Sequence, residues 1–249
     1  MIEVMREKAL INCISFDFDR TLAHVVPPTH HLFSKLLQEK GLAISPDLIA
    51  QKFIKFRQNL PMHLKKQLQK YGRLSHPDRR KFIREYNKAR FHYLGLTGST
   101  ERLAEIQKEI IQQLFHQQKK ILYDDVSDTI INLKKQGKKL FVLSGNHSDS
   151  ISEILSSAGI LDYFEEIITV DKYSLHKIDN FQQLLHKSSF SPREILHIGD
   201  DVVTDGHGPR KYNINSLLIY RDDQIIYHKI TDDSFTIIQR LEDLYNYLD

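Results

Sequence analysis

The chain has 249 residues, 41% of them hydrophobic, enough for one large domain or a domain carrying an insertion. A single cysteine excludes an internal disulfide, and no window approaches ~18 uninterrupted apolar residues, so no membrane-spanning helix is expected. The formal net charge of +3 conceals an asymmetry, because residues 51–120 hold 17 Lys and Arg against 5 Asp and Glu while the rest of the chain is acidic.

The opening MIEVMREKALIN mixes acids and bases without a secretory pattern, so a soluble cytoplasmic protein is the expectation. Residues 9–17 read as a buried strand, with Cys13 as a small core side chain. The strand runs into FDFDRTL. Alternate residues of a strand share a face, so Asp17 and Asp19 are expected to project together for as long as the strand continues. Like charges that close require a cation, a proton or a function to compensate them.

From Val25 to about Lys120 the pattern becomes helical, with helices expected at 29–40, 46–57, 61–70, 77–94 and 99–118. Pro27-Pro28, Gly41, Ser45-Pro46, Pro61, Gly72, His76-Pro77 and Gly95 to Gly98 punctuate them. Phe53, Phe56, Phe82, Tyr86, Phe91 and Tyr93 are expected to pack the core of this segment. Strands and helices then alternate. Helices are expected over 125–137 and 148–159, ending at Gly137 and Gly159, and again over 177–187. Strands are expected at 139–143, 165–170, 194–198 and 216–221, with a short helix or turn over 204–214. An edge strand at 225–231 and a closing helix at 233–248 complete the chain.

Such alternation predicts an α/β fold: a Rossmann-like parallel sheet with helices on both faces. Almost a hundred helical residues are too many for a connection, so an inserted all-helical domain is expected at 24–118, with 1–23 and 119–249 forming the core.

In open parallel sheets, ligands bind beyond the carboxyl ends of the strands. Asp17, Asp19, Arg20 and Thr21 follow the first strand there, Ser144, Gly145 and Asn146 end the one at 139–143, and Asp200 and Asp201 follow Gly199. Lys177 precedes a helix, and Asp205 lies one short step beyond Asp201. Hard oxygen ligands gathered from separate strands suit Mg²⁺. An aspartate beside such a cation is placed to attack phosphorus.

In this order, DFDRT, Ser144, Lys177 and GDDVVTD resemble the four motifs of the haloacid dehalogenase superfamily. The resemblance spans roughly residues 9–23 and 119–221. The helical insertion after the first motif resembles the α-helical cap of the subfamily that includes phosphoglycolate phosphatase and β-phosphoglucomutase. It implies Asp17 as nucleophile and Asp19 as general acid and base, with Asp19's backbone carbonyl a metal ligand. Thr21 orients the loop. Ser144 and its neighbours Gly145 and Asn146 hold the phosphoryl oxygens, within reach of Arg20, and Lys177 neutralises charge. For Mg²⁺ the implied set is Asp17, Asp19, Asp200, Asp201 and Asp205, the last two by ligating it directly, by binding its waters or by fixing Lys177. Asp19 also favours phosphoryl chemistry, since dehalogenases of this family usually lack the second aspartate.

Arg20 stands where glycine is most common, Gly145 where asparagine often follows the serine, and Ile178 where proline is frequent; GHGPRKYNI is an unusual continuation of the fourth motif. His197 reads as a satisfied core histidine and His24 as a linker residue. The implied activity is Mg²⁺-dependent hydrolysis of a small phosphorylated metabolite through an aspartyl-phosphate. Arg57, Lys65, Lys66, Arg73, Arg79 and Arg80 are the candidate substrate contacts of the cap. A phosphomutase or phosphonate hydrolase of the same family is the competing enzyme reading. A nucleic-acid or phosphate-binding module using the basic cap is the competing reading of another class, and it lacks a reading motif.

Overall fold

A computed structural model describes residues 10–64, 79–96, 100–146, 148–170, 172, 177–221 and 234–248. The chain divides into two compact units, Met1–His24 with Leu122–Asp249, and Val25–Ile121.

Among the described residues the first unit is built on six strands: β1 Cys13–Phe16, β4 Lys139–Ser144, β5 Phe164–Thr169, β6 Ile195–Gly199, β7 Asn215–Ile219 and β8 Ile237–Ile238. Two further strands, β2 Ala23–Val26 and β3 Lys119–Leu122, pair with each other in a ribbon where the chain leaves and re-enters this unit. The six-stranded sheet runs β5-β4-β1-β6-β7-β8, and every pairing is parallel. β1, buried throughout, lies at its middle. Helices Val126–Lys135, Ser148–Ser157 and Asn180–Ser188 cover the sheet, completing the expected Rossmann-like architecture. Two clusters form the core, one holding Ile14, Phe16, Val142 and Ile198, the other Cys13, Phe141, Phe181 and Ile195. Alternate residues of β1 thus serve different clusters, as the period-two geometry of a strand requires. Burial pushes the Cys13 thiol up to about 12, so it remains a protonated core side chain.

The second unit packs Thr29–Glu39, Pro46–Gln58, Arg79–Tyr93 and Thr100–Gln117. Leu32, Phe33, Leu36 and Leu37 form a buried stripe at helical spacing on the first of these. Ser45 Oγ accepts from the Leu48 N–H at 3.3 Å and Pro46 occupies the first helical position, which starts the second helix where the sequence signals it. The expected aromatic core is present: Phe53 and Phe91 pack with Phe33, while Phe56 and Phe82 pack with Tyr86 and Tyr93.

Three expectations are corrected. β1 begins at Cys13 rather than residue 9 and ends at Phe16, one residue before the acids. The ribbon β2–β3 was not expected, because four-residue strands give too short a pattern to separate from the flanking helices. The closing helix over 233–248 is instead strand β8 followed by a 3₁₀ helix, Leu241–Tyr247. Thr236-Ile237-Ile238 is β-branched, which favours the strand. Asp243 accepts from the Gln239 and Arg240 N–H groups, and the buried Leu241 and Leu244 are spaced three apart, as a 3₁₀ turn stacks them. The helix expected at 61–70 lies largely outside the described residues, and the strand at 225–231 lies wholly outside them.

The unusual continuation of the fourth motif has a packing explanation. Residues Val202–His207 form a π-helical turn, followed by the short helix Gly208–Arg210. A Cβ at Gly206 would come 2.8 Å from the Phe235 ring. Arg210 stacks 3.6 Å over that ring and donates to Ser234, and His207 meets the ring edge-on at 5.0 Å. The sequence GHGPR thus seats the returning 234–235 segment against the turn that carries Asp205.

Candidate active site

The carboxyl ends of β4, β1 and β6 lie side by side in the sheet, and the candidate residues collect there. Asp17 is the first residue beyond β1, its backbone N–H held by the Ile198 carbonyl of β6 at 2.8 Å. Because β1 stops at Phe16, Asp17 and Asp19 do not share a strand face; they have different partners. Asp17 is buried against Lys177, with Nζ 2.5 Å from its Oδ1, while Asp19 accepts from the side-chain amide of Asn146. Asn146 also donates its backbone N–H to Ser144 Oγ at 3.2 Å, so the serine and the displaced asparagine form one unit at the end of β4. Gly145 between them is exposed.

Lys177 opens a short 3₁₀ turn and bridges two acids, reaching Asp205 Oδ1 at 2.6 Å as well as Asp17. Burial disfavours its charge, but Asp17 and Asp205 outweigh this and hold the amine protonated well above its ordinary range. Asp205 is fully buried, and both its oxygens are in use: Oδ1 also meets His197 Nε2 at 3.1 Å, and Oδ2 accepts from the Asp201 N–H at 3.0 Å. Burial would raise the Asp205 carboxyl; Lys177 and His197 overcome it, and the group is held well below the usual carboxylate range. A carboxylate only accepts, so His197 donates from Nε2 and receives the Ser15 hydroxyl at Nδ1, 2.8 Å away. Burial lowers the His197 pKa, which keeps the ring neutral. His197 is the satisfied core histidine expected, and what it supports is Asp205.

Gly199 makes this approach possible. A Cβ there would sit 2.5 Å from Asp205 Oδ2. Gly199→Ala is expected to displace Asp205 or lower stability by about 3 kcal/mol, measurable by urea denaturation.

Asp200, beyond β6, is 5% exposed, and burial pushes its carboxyl up to about 6 against the opposing pull of Arg20. Burial likewise holds Asp17 well above the usual carboxylate range, despite Lys177. One carboxylate oxygen from each of Asp17, Asp200 and Asp205 lies within 4.8 Å of the others. Asp201 is turned to a structural task, its Oδ1 capping the π-helical turn through the Val203 and Thr204 N–H groups, both at 2.9 Å. Arg20, expected beside the phosphoryl group, is paired with Asp200, its NH2 3.0 Å from Oδ2. Thr21 is buried, and its Oγ1 has no hydrogen-bond partner among the described residues.

Sequence reasoning missed Arg221, whose guanidinium donates to the Thr21 carbonyl at 2.7 Å and to Asp125 at 2.6 Å. A basic residue closing the apolar run SLLIY was the available signal. His24 stacks on Tyr123, centroids 4.4 Å apart. Lys65, Lys66 and Arg73 of the basic segment, and the side chains of Arg57, Arg79 and Arg80, lie outside the described residues. No helix among the described residues is long and apolar enough to cross a membrane.

A family model described as haloacid dehalogenase-like hydrolase matches residues 11–208. Human haloacid dehalogenase-like hydrolase domain-containing protein 3 is 24% identical over 218 residues, 86% of this chain and 84% of its own. Among solved structures, a magnesium-bound HAD-hydrolase of Bacillus subtilis superposes with TM-score 0.61 at 19% identity, over 96% of this chain and 99% of its own. A predicted phosphoglycolate phosphatase of Haemophilus somnus does so with TM-score 0.59 at 15% identity, over 95% and 97%.

Proposed function

The chain belongs to the haloacid dehalogenase-like hydrolases, and from that membership we propose that it is a Mg²⁺-dependent phosphatase of a small phosphorylated metabolite, acting in the cytoplasm with residues 24–118 as its cap. The observation that carries this reading is the pairing of buried Asp17 with a protonated Lys177, beside Asp200 and two positions before Asp19.

The donor set suits a small divalent cation. Asp17 and Asp200 are buried carboxylates whose charge is under-compensated, since both are held above the usual range. These two, with the Asp19 carbonyl, are the proposed ligands. Asp205 and Asp201 are spent within the protein, and their proposed task is to hold Lys177 and the turn. When bound, the ion would polarise the phosphoryl group and shield it from the charge of Asp17.

In the proposed reaction an Asp17 carboxylate oxygen attacks phosphorus, and the bond from phosphorus to the substrate oxygen breaks. Asp19 gives that oxygen its proton. Water then attacks the aspartyl-phosphate, Asp19 takes the water's proton, and the bond to Asp17 breaks to release phosphate. Lys177 and the Ser144–Asn146 unit face the charge that grows on the phosphoryl oxygens. Asn146 orients Asp19 through its amide.

A screen across phosphoglycolate, sugar phosphates and nucleotides, with and without Mg²⁺, tests the reading. Phosphate release from at least one class is expected, abolished by chelation and restored by Mg²⁺; no release from any class with Mg²⁺ present would count against it. Asp200 must be ionised to hold the cation. Asp17, held above the usual carboxylate range as well, must also be ionised, so Mg²⁺ affinity is expected to fall as the pH is lowered through about 6, by roughly tenfold per unit or more, which calorimetric titration at several pH values checks.

A further inference from the structure

Arg20 stands in the left-handed region, φ +61°, which glycine enters freely and other residues only at a cost. The turn around it is tight: its N–H meets the Ala23 carbonyl at 2.6 Å, and the Leu22 and Ala23 N–H groups both reach the Phe18 carbonyl. The backbone alone would be served by glycine. What this chain gains from arginine is a guanidinium 3.0 Å from Asp200 Oδ2.

The rest of the cluster gives that contact its meaning. Lys177 is engaged with Asp17 and Asp205, so among the described residues Arg20 is the cation paired with Asp200. Burial disfavours the guanidinium's charge, but Asp200, Asp17, Asp201 and Asp19, in that order, hold it in place. The two cations also differ in exposure. Lys177 has a side chain only 11% exposed, whereas that of Arg20 is 32% exposed.

We infer that Arg20 is a built-in counter-ion of the cation site: its guanidinium neutralises Asp200 until a divalent cation displaces it, and the chain's Mg²⁺ affinity is set by that competition. The inference rests on the reading that Asp200 holds Mg²⁺. A guanidinium and a metal ion cannot both lie against one carboxylate oxygen without strong mutual repulsion. Its value to the protein is that the buried acids carry a counter-charge whether or not the metal is bound, at the expense of weaker metal binding.

The sign of the effect separates this from a merely structural contact. If Arg20 only propped Asp200 in position, its removal would weaken the metal site. If it competes, removal strengthens it. Calorimetric titration of the full chain with MgCl₂, using the parent, Arg20→Gly and Arg20→Asn, reads that sign directly; both replacements tolerate a positive φ. About tenfold tighter Mg²⁺ binding is expected in both variants, with a larger gain in melting temperature on adding Mg²⁺ than the parent shows. Parent-like or weaker binding in both variants, with the parent still binding, overturns the competition alone. Absence of Mg²⁺ binding in parent and variants alike overturns the magnesium reading and the inference with it.

Discussion

Asp17→Asn is expected to abolish hydrolysis of p-nitrophenyl phosphate, lowering turnover by about 10⁴-fold or more while the chain stays folded. The amide keeps the shape of the carboxyl group, and the backbone N–H of residue 17 keeps its bond to the Ile198 carbonyl. It offers no anionic oxygen to attack phosphorus. Lys177 would lose the charge of one of two partners but retain Asp205 at 2.6 Å, so the buried ammonium keeps a counter-ion. The charge removed is one that burial already disfavours, which argues against a large loss of stability. Two measurements are needed together. Circular dichroism should show native secondary structure, and rapid acid quench should trap a phosphorylated protein in the parent and none in the variant. Turnover within tenfold of the parent would remove Asp17 from the role of nucleophile.

The parts of the candidate site legible in the sequence are those carried by one residue at one strand end. Asp17, Ser144 and Asp200 each follow a short apolar run, and parallel strands bring those ends together whatever the details of packing. What could not be read is which polar group meets which, because the partners are far apart in the chain. Ser15 and His197 are 182 residues apart, and Arg221 and Asp125 are 96 apart. Nothing local marks them as pairs. A shorter separation hides why GHGPR follows the fourth motif, since its partner Phe235 returns from beyond the next strand. Arg20 is a different case. Its departure from the family pattern was visible, but its pairing depends on a φ of +61° that directs a long side chain from the β1 loop to the end of β6.

The second large effect is expected at Asp205, and it separates holding a lysine from holding a metal. This carboxylate accepts from Lys177, His197 and the Asp201 N–H, and none of its surface is exposed. Asparagine at 205 has one accepting oxygen in place of two and introduces two donors. It cannot satisfy Lys177, His197 and Asp201 together, so at least one buried donor is left unmet. Breaking a buried charge pair by removing one partner costs about 3–5 kcal/mol, and Asp205→Asn is expected to lose stability on that scale, read by urea denaturation. Turnover is expected to fall by about 10²-fold, because Lys177 is released from the position it shares between Asp17 and Asp205. Mg²⁺ affinity is the deciding readout. With Asp205 acting only through Lys177, the variant should bind Mg²⁺ within about threefold of the parent, whereas Asp200→Asn should lose binding by 10-fold or more, on the order expected for a direct ligand. Equal losses of metal binding in the two variants would instead make Asp205 a ligand, and the three oxygens lying within 4.8 Å of one another would then act as a single metal-binding face.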